Sequence, residues 1–304
     1  MRFVCPVIKF EIQEKVIRMV FSIIFTVVLL FPKDSEAQEN KISTGHKNGT
    51  LIAIGGGEIG DTEIMAKFRN LAGGDSAKIV VIPTAFVINN QIDTALLKRN
   101  FNEYGIPNFT ILHTSDPSVA NTDEFVKPIK EATGIYFTGG RHWRIADSYL
   151  NTIAHKEMLK LLDRGGVIAG SSAGATIQGS YLARGDTKNN QIMMGDHEIG
   201  FGFISNITID QHVLARNRQF DMFTILERKP ELLGIGIDES TAIIVKGDVF
   251  EVIGKSYVLV YDTAFWSREG FDMKQLPDKN QMFYFLKSGD KYNLRKRQVI
   301  REWD

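Results

Sequence analysis

Val167-Ile168-Ala169-Gly170-Ser171-Ser172-Ala173-Gly174 reads as an apolar strand that runs into a turn of small residues and then opens a helix. The pentapeptide Gly170–Gly174 fits the pattern G-x-S-x-G in the strand–turn–helix setting that a nucleophile elbow requires. Such a turn is sharp, so the residues beside the tip must be small. Ser172 would stand at the tip with its hydroxyl exposed, and the Ala173 N–H would be placed to stabilise an oxyanion. The competing readings are a small-residue turn without chemistry and an anion-binding loop. The strand before and the helix after favour the nucleophile.

Working outward, short apolar runs alternate with helical patterns, the signature of βαβ units and a parallel sheet. Strands are expected at Leu51–Ile54, Lys78–Ile82, Phe109–Leu112, Gly134–Phe137 and Val167–Ala169. Helical patterns cover Glu63–Leu71, Asp93–Tyr104, Trp143–Leu150, Lys156–Asp163, Ala173–Leu182 and Leu214–Leu226. The last third changes character. Thr241–Val245, Val249–Ile253 and Tyr257–Val260 are closely spaced strands, with Gly247-Asp248 as a hairpin turn. The expectation is one α/β domain over residues 50–304, mostly parallel, with antiparallel strands added at its C-terminal end. From about Trp266 onward the chain reads as a tail, and the basic stretch Lys291–Arg301 as a solvated face.

The N-terminus reads differently. Val20–Phe31, VFSIIFTVVLLF, is twelve uncharged residues, short of the ~20 that a membrane span needs. Lys15 and Arg18 precede it, Pro32 breaks it, and Ser35-Glu36-Ala37 is a small-x-small site. Residues 1–37 therefore read as a signal peptide cut after Ala37, followed by a short tail over 38–49. An uncleaved anchor and a start at Met19 are the alternatives. Export to the periplasm or cell exterior follows, with no stable membrane span after processing.

The whole chain has 304 residues, 36 basic and 36 acidic, with 43% hydrophobic and 24% charged. Removing residues 1–37 leaves 267 residues with 31 basic and 32 acidic side chains. That balance argues against an electrostatic nucleic-acid binder and against disorder. Cys5 is the single cysteine and lies in the leader, so the processed chain has neither a disulfide framework nor a cysteine nucleophile. No metal-ligand spacing stands out, and the expectation is an enzyme without a cofactor.

Gly55–Gly60, GGGEIG, matches G-x-G-x-x-G after a strand. A dinucleotide site would need an acid at the end of the second strand, but that position is Ile82-Pro83-Thr84. A tight turn bringing backbone close to a site at the strand ends is the better reading. A serine also needs a base, and six histidines are available. His212 follows the β-rich Ile207–Ile209 and lies at a strand end. His113 ends a strand, His142 and His197 lie in loops, His155 reads as surface, and His46 belongs to the tail. Spacing alone does not choose among them.

Five segments occur in order: Ile54-Gly55-Gly56-Gly57-Glu58, Phe137-Thr138-Gly139-Gly140, Gly170–Ala175, Asp210-Gln211-His212 with Arg216 and Arg218, and Gly234-Ile235-Gly236-Ile237-Asp238-Glu239. From about Thr50 to Asp262 the set resembles the cyanophycinase branch of the S51 serine peptidases, relatives of peptidase E (alpha-aspartyl dipeptidase). The resemblance implies a three-layer α/β/α sandwich of the class I glutamine-amidotransferase-like, flavodoxin-like type. It also implies hydrolysis of aspartyl peptides, with cyanophycin cut to β-Asp-Arg dipeptides; a peptidase E-like or isoaspartyl dipeptidase of other Asp-X substrates and a non-catalytic binding module on the same fold are the alternatives, and a homodimer is implied by the resemblance alone. By resemblance Ser172 is the nucleophile, His212 the base, and Gly140 and Ala173 the oxyanion donors. His142, Gln211, Arg216 and Arg218 would contact substrate. The triad acid is Glu239 if the cyanophycinase order holds, or Asp186 if the peptidase E order holds. Two departures from the cyanophycinase pattern bear on the substrate. Arg141-His142 replaces Asp-Gln after the paired glycines, and Asp221 replaces the third arginine, where a compensating pair with Arg141 is conceivable.

Overall fold

Along β1 (Thr50–Ile54) the side chains alternate between two apolar cores, Leu51 and Ala53 on one side, Ile52 and Ile54 on the other. The same alternation holds in β2 (Ile79–Ile82), where Val80 and Ile82 face one core and Ile79 and Val81 the other. A parallel strand buried on both faces needs such a run of apolar residues. The computed structural model describes residues 42–87, 91–264 and 282–301; the expected signal peptide lies outside them. β3 (Thr110–Ile111), β4 (Gly134–Phe137) and β5 (Val167–Ser171) complete a parallel half-sheet in the order β1-β5-β4-β2-β3.

Helices α1 (Ile64–Leu71) and α2 (Thr94–Glu103) cover one face through Phe68 and Phe101. Helices α3 (Asp123–Glu131), α4 (His142–Tyr149) and α5 (Ile153–Asp163) cover the other through Ile129, Tyr149 and Leu161. This is the three-layer arrangement expected from the sequence. The helical pattern does not announce α3, because Pro128 falls inside it; Thr122 starts it by accepting the Phe125 N–H. α6 (Ala173–Thr176) leaves β5 and stops after one turn, short of the expected Leu182. Beyond it the chain runs against β6 (Ile207–Gln211), with the Ser180 and Tyr181 amides bonded to the Ile207 carbonyl.

The C-terminal third forms more sheet than the sequence announces. β8 (Thr241–Lys246) pairs antiparallel with β1, and β9 (Val249–Gly254), β12 (Lys291–Asn293) and β13 (Gln298–Ile300) extend the sheet to nine strands among the described residues. β6, β7 (Leu233–Ile237), β10 (Tyr257–Tyr261) and β11 (Tyr284–Lys287) build a second, four-stranded sheet. Its Ile209, Ile235 and Val260 share a core with Ile243 and Phe250 of the large sheet. The stretch expected as a tail after Trp266 thus supplies three strands. Tyr284 and Tyr292 both donate to the buried Asp262 carboxylate, at 2.5 and 2.6 Å, which ties β11 and β12 down.

Three further expectations are corrected. Only α7 (Phe223–Leu226) is helical within Leu214–Leu226, because the Leu214 and Ala215 amides donate to the Asp238 carboxylate instead. Residues 42–49 are no loose tail: Thr44 bridges to Ser205, and the Ser43 hydroxyl donates to the Asn206 carbonyl. His155 is buried rather than surface, stacked on Phe201 and bonded to its carbonyl at 3.1 Å.

Candidate active site

Register brings the site together. Ile54 of β1 pairs with Ser171 of β5, and Phe137 of β4 with Gly170, so the three strands end side by side. In open α/β sheets this carboxyl edge is where ligands bind. In the second sheet Gln211 pairs with Ile237, so His212 leaves β6 beside the point where Asp238 and Glu239 leave β7. The glycine turn after β1 joins the two sheets: the Gly55 carbonyl accepts the His212 N–H at 3.0 Å, and the Gly56 carbonyl accepts the Ser240 N–H at 2.9 Å.

Ser172 has φ 54° and ψ −108°, a strained conformation for a residue with a side chain, costing on the order of 1–3 kcal/mol. The fold holds it there. Its N–H donates to Ile54, and its carbonyl accepts from Ala175 and Thr176. The flanking glycines are required for space. A Cβ on Gly170 would stand 2.2 Å from the Gly174 carbonyl oxygen, and one on Gly174 2.4 Å from that of Phe137.

The Ser172 Oγ lies 2.8 Å from His212 Nε2, and His212 Nδ1 lies 2.5 Å from Glu239 Oε1. Burial pushes the His212 pKa below its ordinary value; Arg216 and Arg218 add to that, while Glu239 works against it. A neutral imidazole with its Nδ1–H on a carboxylate presents a free Nε2 lone pair to the serine. Asp186 makes no such contact. Its carboxylate accepts the Lys188 and Asn189 amides, and its carbonyl accepts from Arg141. Gly140 lines the cavity over Ser172 at φ 132°. Among the described residues the Gly140 and Ala173 amides donate to no protein acceptor.

That cavity, of about 460 Å³, is lined by Ser172, His212, Gly56, Gly140 and Arg216 together with apolar residues of α2. Of the four residues expected to meet substrate, Arg216 alone lines it. Arg218 is buried and donates to the Gln211 carbonyl and to Gln211 Oε1, both at 3.1 Å. Gln211 is buried in turn, and His142 is buried within α4 with its pKa pushed down to about 3, chiefly by burial. Asp221 does not compensate Arg141. It pairs at 2.5 Å with Arg184, a fully buried guanidinium that also grips both Asp210 oxygens.

Arg184 and Asp238 escape sequence reasoning although both hold the His212 side in place. The Asp238 carboxylate accepts the Leu214 and Ala215 amides at 3.0 and 2.9 Å and the Ser256 hydroxyl at 2.6 Å. The only signal for Asp238 is its place beside Glu239. Arg184 sits in Ala183-Arg184-Gly185-Asp186, which looks like an ordinary exposed turn.

A hydroxyl, an imidazole and a carboxylate in series at the carboxyl edge of a flavodoxin-like sheet define a hydrolase of the peptidase type. The profile of peptidase family S51 matches residues 51–253, and the chain belongs to that family. It is 30% identical to the cyanophycinase of Geminocystis herdmanii (strain PCC 6308) over 263 residues, spanning 83% of this chain and 96% of that protein. It is 29% identical to the cyanophycinase of Synechococcus elongatus over 268 residues, spanning 84% and 82%. The crystal structure of a peptidase from an acI-B1 Actinobacterium superposes with a TM-score of 0.58 at 25% identity, covering 82% of this chain and 98% of that one.

Proposed function

We propose that the protein is a serine peptidase acting on aspartyl peptides in the manner of a cyanophycinase, with the β-Asp-Arg units of cyanophycin as the first substrate to test. The unbroken chain Ser172 Oγ–His212 Nε2 and His212 Nδ1–Glu239 Oε1 carries the reading. In this mechanism His212 takes the Ser172 proton as Oγ attacks the scissile carbonyl. The Gly140 and Ala173 amides receive the oxyanion, and the proton passes to the leaving amine. Water then repeats the sequence on the acyl-enzyme. Glu239 fixes the tautomer and stabilises the imidazolium. Arg216, the cation on the cavity wall, suits a substrate carboxylate. We further propose export with processing near Ala37, supported by the Val20–Phe31 segment.

The test is turnover of cyanophycin and of α- and β-linked Asp-X dipeptides by purified protein, read by product mass. Ser172→Ala and His212→Ala should each lower kcat by about 10⁴-fold or more, and a serine-directed reagent should label Ser172. Undiminished turnover in either folded variant would sink the assignment of roles. Failure of the wild type on every aspartyl peptide would sink the substrate class.

A further inference from the structure

The cavity over Ser172 has two kinds of wall. Phe86, Val87, Ile92, Leu96, Leu97 and Phe101, from the turn after β2 and from α2, are apolar. Among the described residues that line it, Arg216 is the only cation and Asp93 the only acid. Arg216 forms no ion pair or side-chain hydrogen bond with another described residue, which leaves its guanidinium for a ligand. Asp93 is partly engaged: its Oδ1 accepts the Leu96 N–H at 2.8 Å and caps α2. Phe86 remains 55% exposed, so a ligand covering it would gain the stabilisation that apolar burial brings.

This asymmetry bears on what the residue next to aspartate can be. A buried guanidinium needs paired acceptors arranged to meet its fork, and burying it unpaired is costly. Among the described residues the apolar side chains supply none, and the acceptors beside them are the neutral Asn100 and the Asp93 carboxylate, which is partly spent on capping α2. Glu58 and Glu103 lie near enough to Tyr104 to raise its pKa, after burial, but neither lines the cavity. A branched aliphatic or aromatic side chain asks nothing of such a wall but contact.

We propose that the site selects peptides pairing an acidic residue, held by Arg216, with an apolar or aromatic residue seated on the Phe86–Phe101 wall. Asp-Leu and Asp-Phe linkages are then favoured over Asp-Arg. The inference rests on the peptidase reading above and, within aspartyl peptides, ranks apolar partners ahead of the β-Asp-Arg units named there as the first substrate to test.

The experiment compares kcat/KM for Asp-Leu, Asp-Phe, Asp-Arg and Asp-Lys dipeptides, in matched α and β linkages, with the purified protein. Leu and Phe should exceed Arg and Lys by about tenfold, equivalent to about 1.4 kcal/mol. Arg peptides turned over as well or better would overturn this specificity and leave the peptidase reading standing. No turnover of any Asp-X peptide would remove both. Leu96→Asp, which adds a carboxylate to the wall, should move the Leu-to-Arg ratio at least about threefold toward Arg, and an unchanged ratio in the folded variant would overturn the wall as the determinant. Should that variant not fold, Phe86→Ala at its exposed position should lower Asp-Phe turnover more than Asp-Arg turnover. Equal losses would count against the proposal.

Discussion

The Ser172 side and the His212 side of the site are made of different materials. Around Ser172 the structure is backbone and hydrogen atoms: Gly170, Gly174 and Gly140 leave no room for a Cβ, and the amides do the holding. Around His212 it is ionised side chains. Arg184 grips Asp210 and Asp221, Arg218 grips Gln211, and Asp238 ties down the following loop. A backbone-built half fixes Ser172 sterically and has no charge to lose. A half built from side chains sets the electrostatics of His212, so substitutions at its less buried members, Glu239 and Arg216, should change chemistry while leaving the fold standing, whereas removing the buried Arg184 would strand Asp210 and cost stability.

After loss of Ser172 or His212 themselves, the largest effect should come from Glu239→Gln, which keeps the shape of the His212 partner and removes its charge. The imidazolium formed during attack then loses its stabiliser, and kcat should fall by about 10³-fold with an unchanged circular dichroism spectrum. A fall of less than about threefold would mean that Glu239 does not orient the base. The next effect tests the other material. Gly56 has φ 106°, and a Cβ there would stand 2.2 Å from His212 Cε1. Gly56→Ala should therefore displace the ring and lower kcat by about 10²-fold. Because the fault is geometric, the pH profile should keep its shape while its height drops. Wild-type rates in Gly56→Ala would show that the His212 side yields as readily as any surface loop, and the contrast between the halves would fail.

What could be read in advance follows the same division. The parallel core was legible because strands buried on both faces must be continuously apolar, as Leu51–Ile54 and Gly134–Phe137 are. The turn at Ser172 was legible because sharp backbone geometry demands small residues at fixed spacing. That Ser172, His212 and Glu239 meet could be anticipated only through the resemblance to the S51 peptidases, since spacing alone did not single out His212, and Asp186 could not be set aside until its carboxylate was seen bonded to its own loop. The charged scaffold was not legible. Nothing local distinguishes the buried Arg184 from a solvated arginine, since its burial depends on Asp210, 26 residues away, and Asp221, 37 away. The apparent helix over Leu214–Leu226 failed for a related reason: a distant side chain, Asp238, outbids the local helical pattern for two amides. The second sheet was hidden because its strands are recruited from both sides of β8 and β9, an order that short-range patterning does not reveal.

The smallest effect is the most diagnostic of the side-chain half. His212 titrates below its ordinary value of about 6.5, chiefly because it is buried, with Arg216 and Arg218 pushing the same way and Glu239 opposing them. A base with a depressed pKa stays neutral to lower pH, so the acid limb of kcat/KM should lie below the ordinary histidine value. The two neighbours should then move that limb in opposite directions. Arg216→Gln removes a positive charge that disfavours the imidazolium, so protonation becomes easier and the limb shifts to higher pH. Glu239→Gln removes the charge that favours the imidazolium, so the limb shifts to lower pH. The position of the limb, rather than the plateau rate, is the readout, because Arg216 also lines the cavity and its loss lowers turnover of acidic substrates at every pH. Shifts in the same direction for both variants would mean that the limb reports a group other than His212. Opposed shifts would tie the titrating base to the carboxylate on one side of it and the guanidinium on the other.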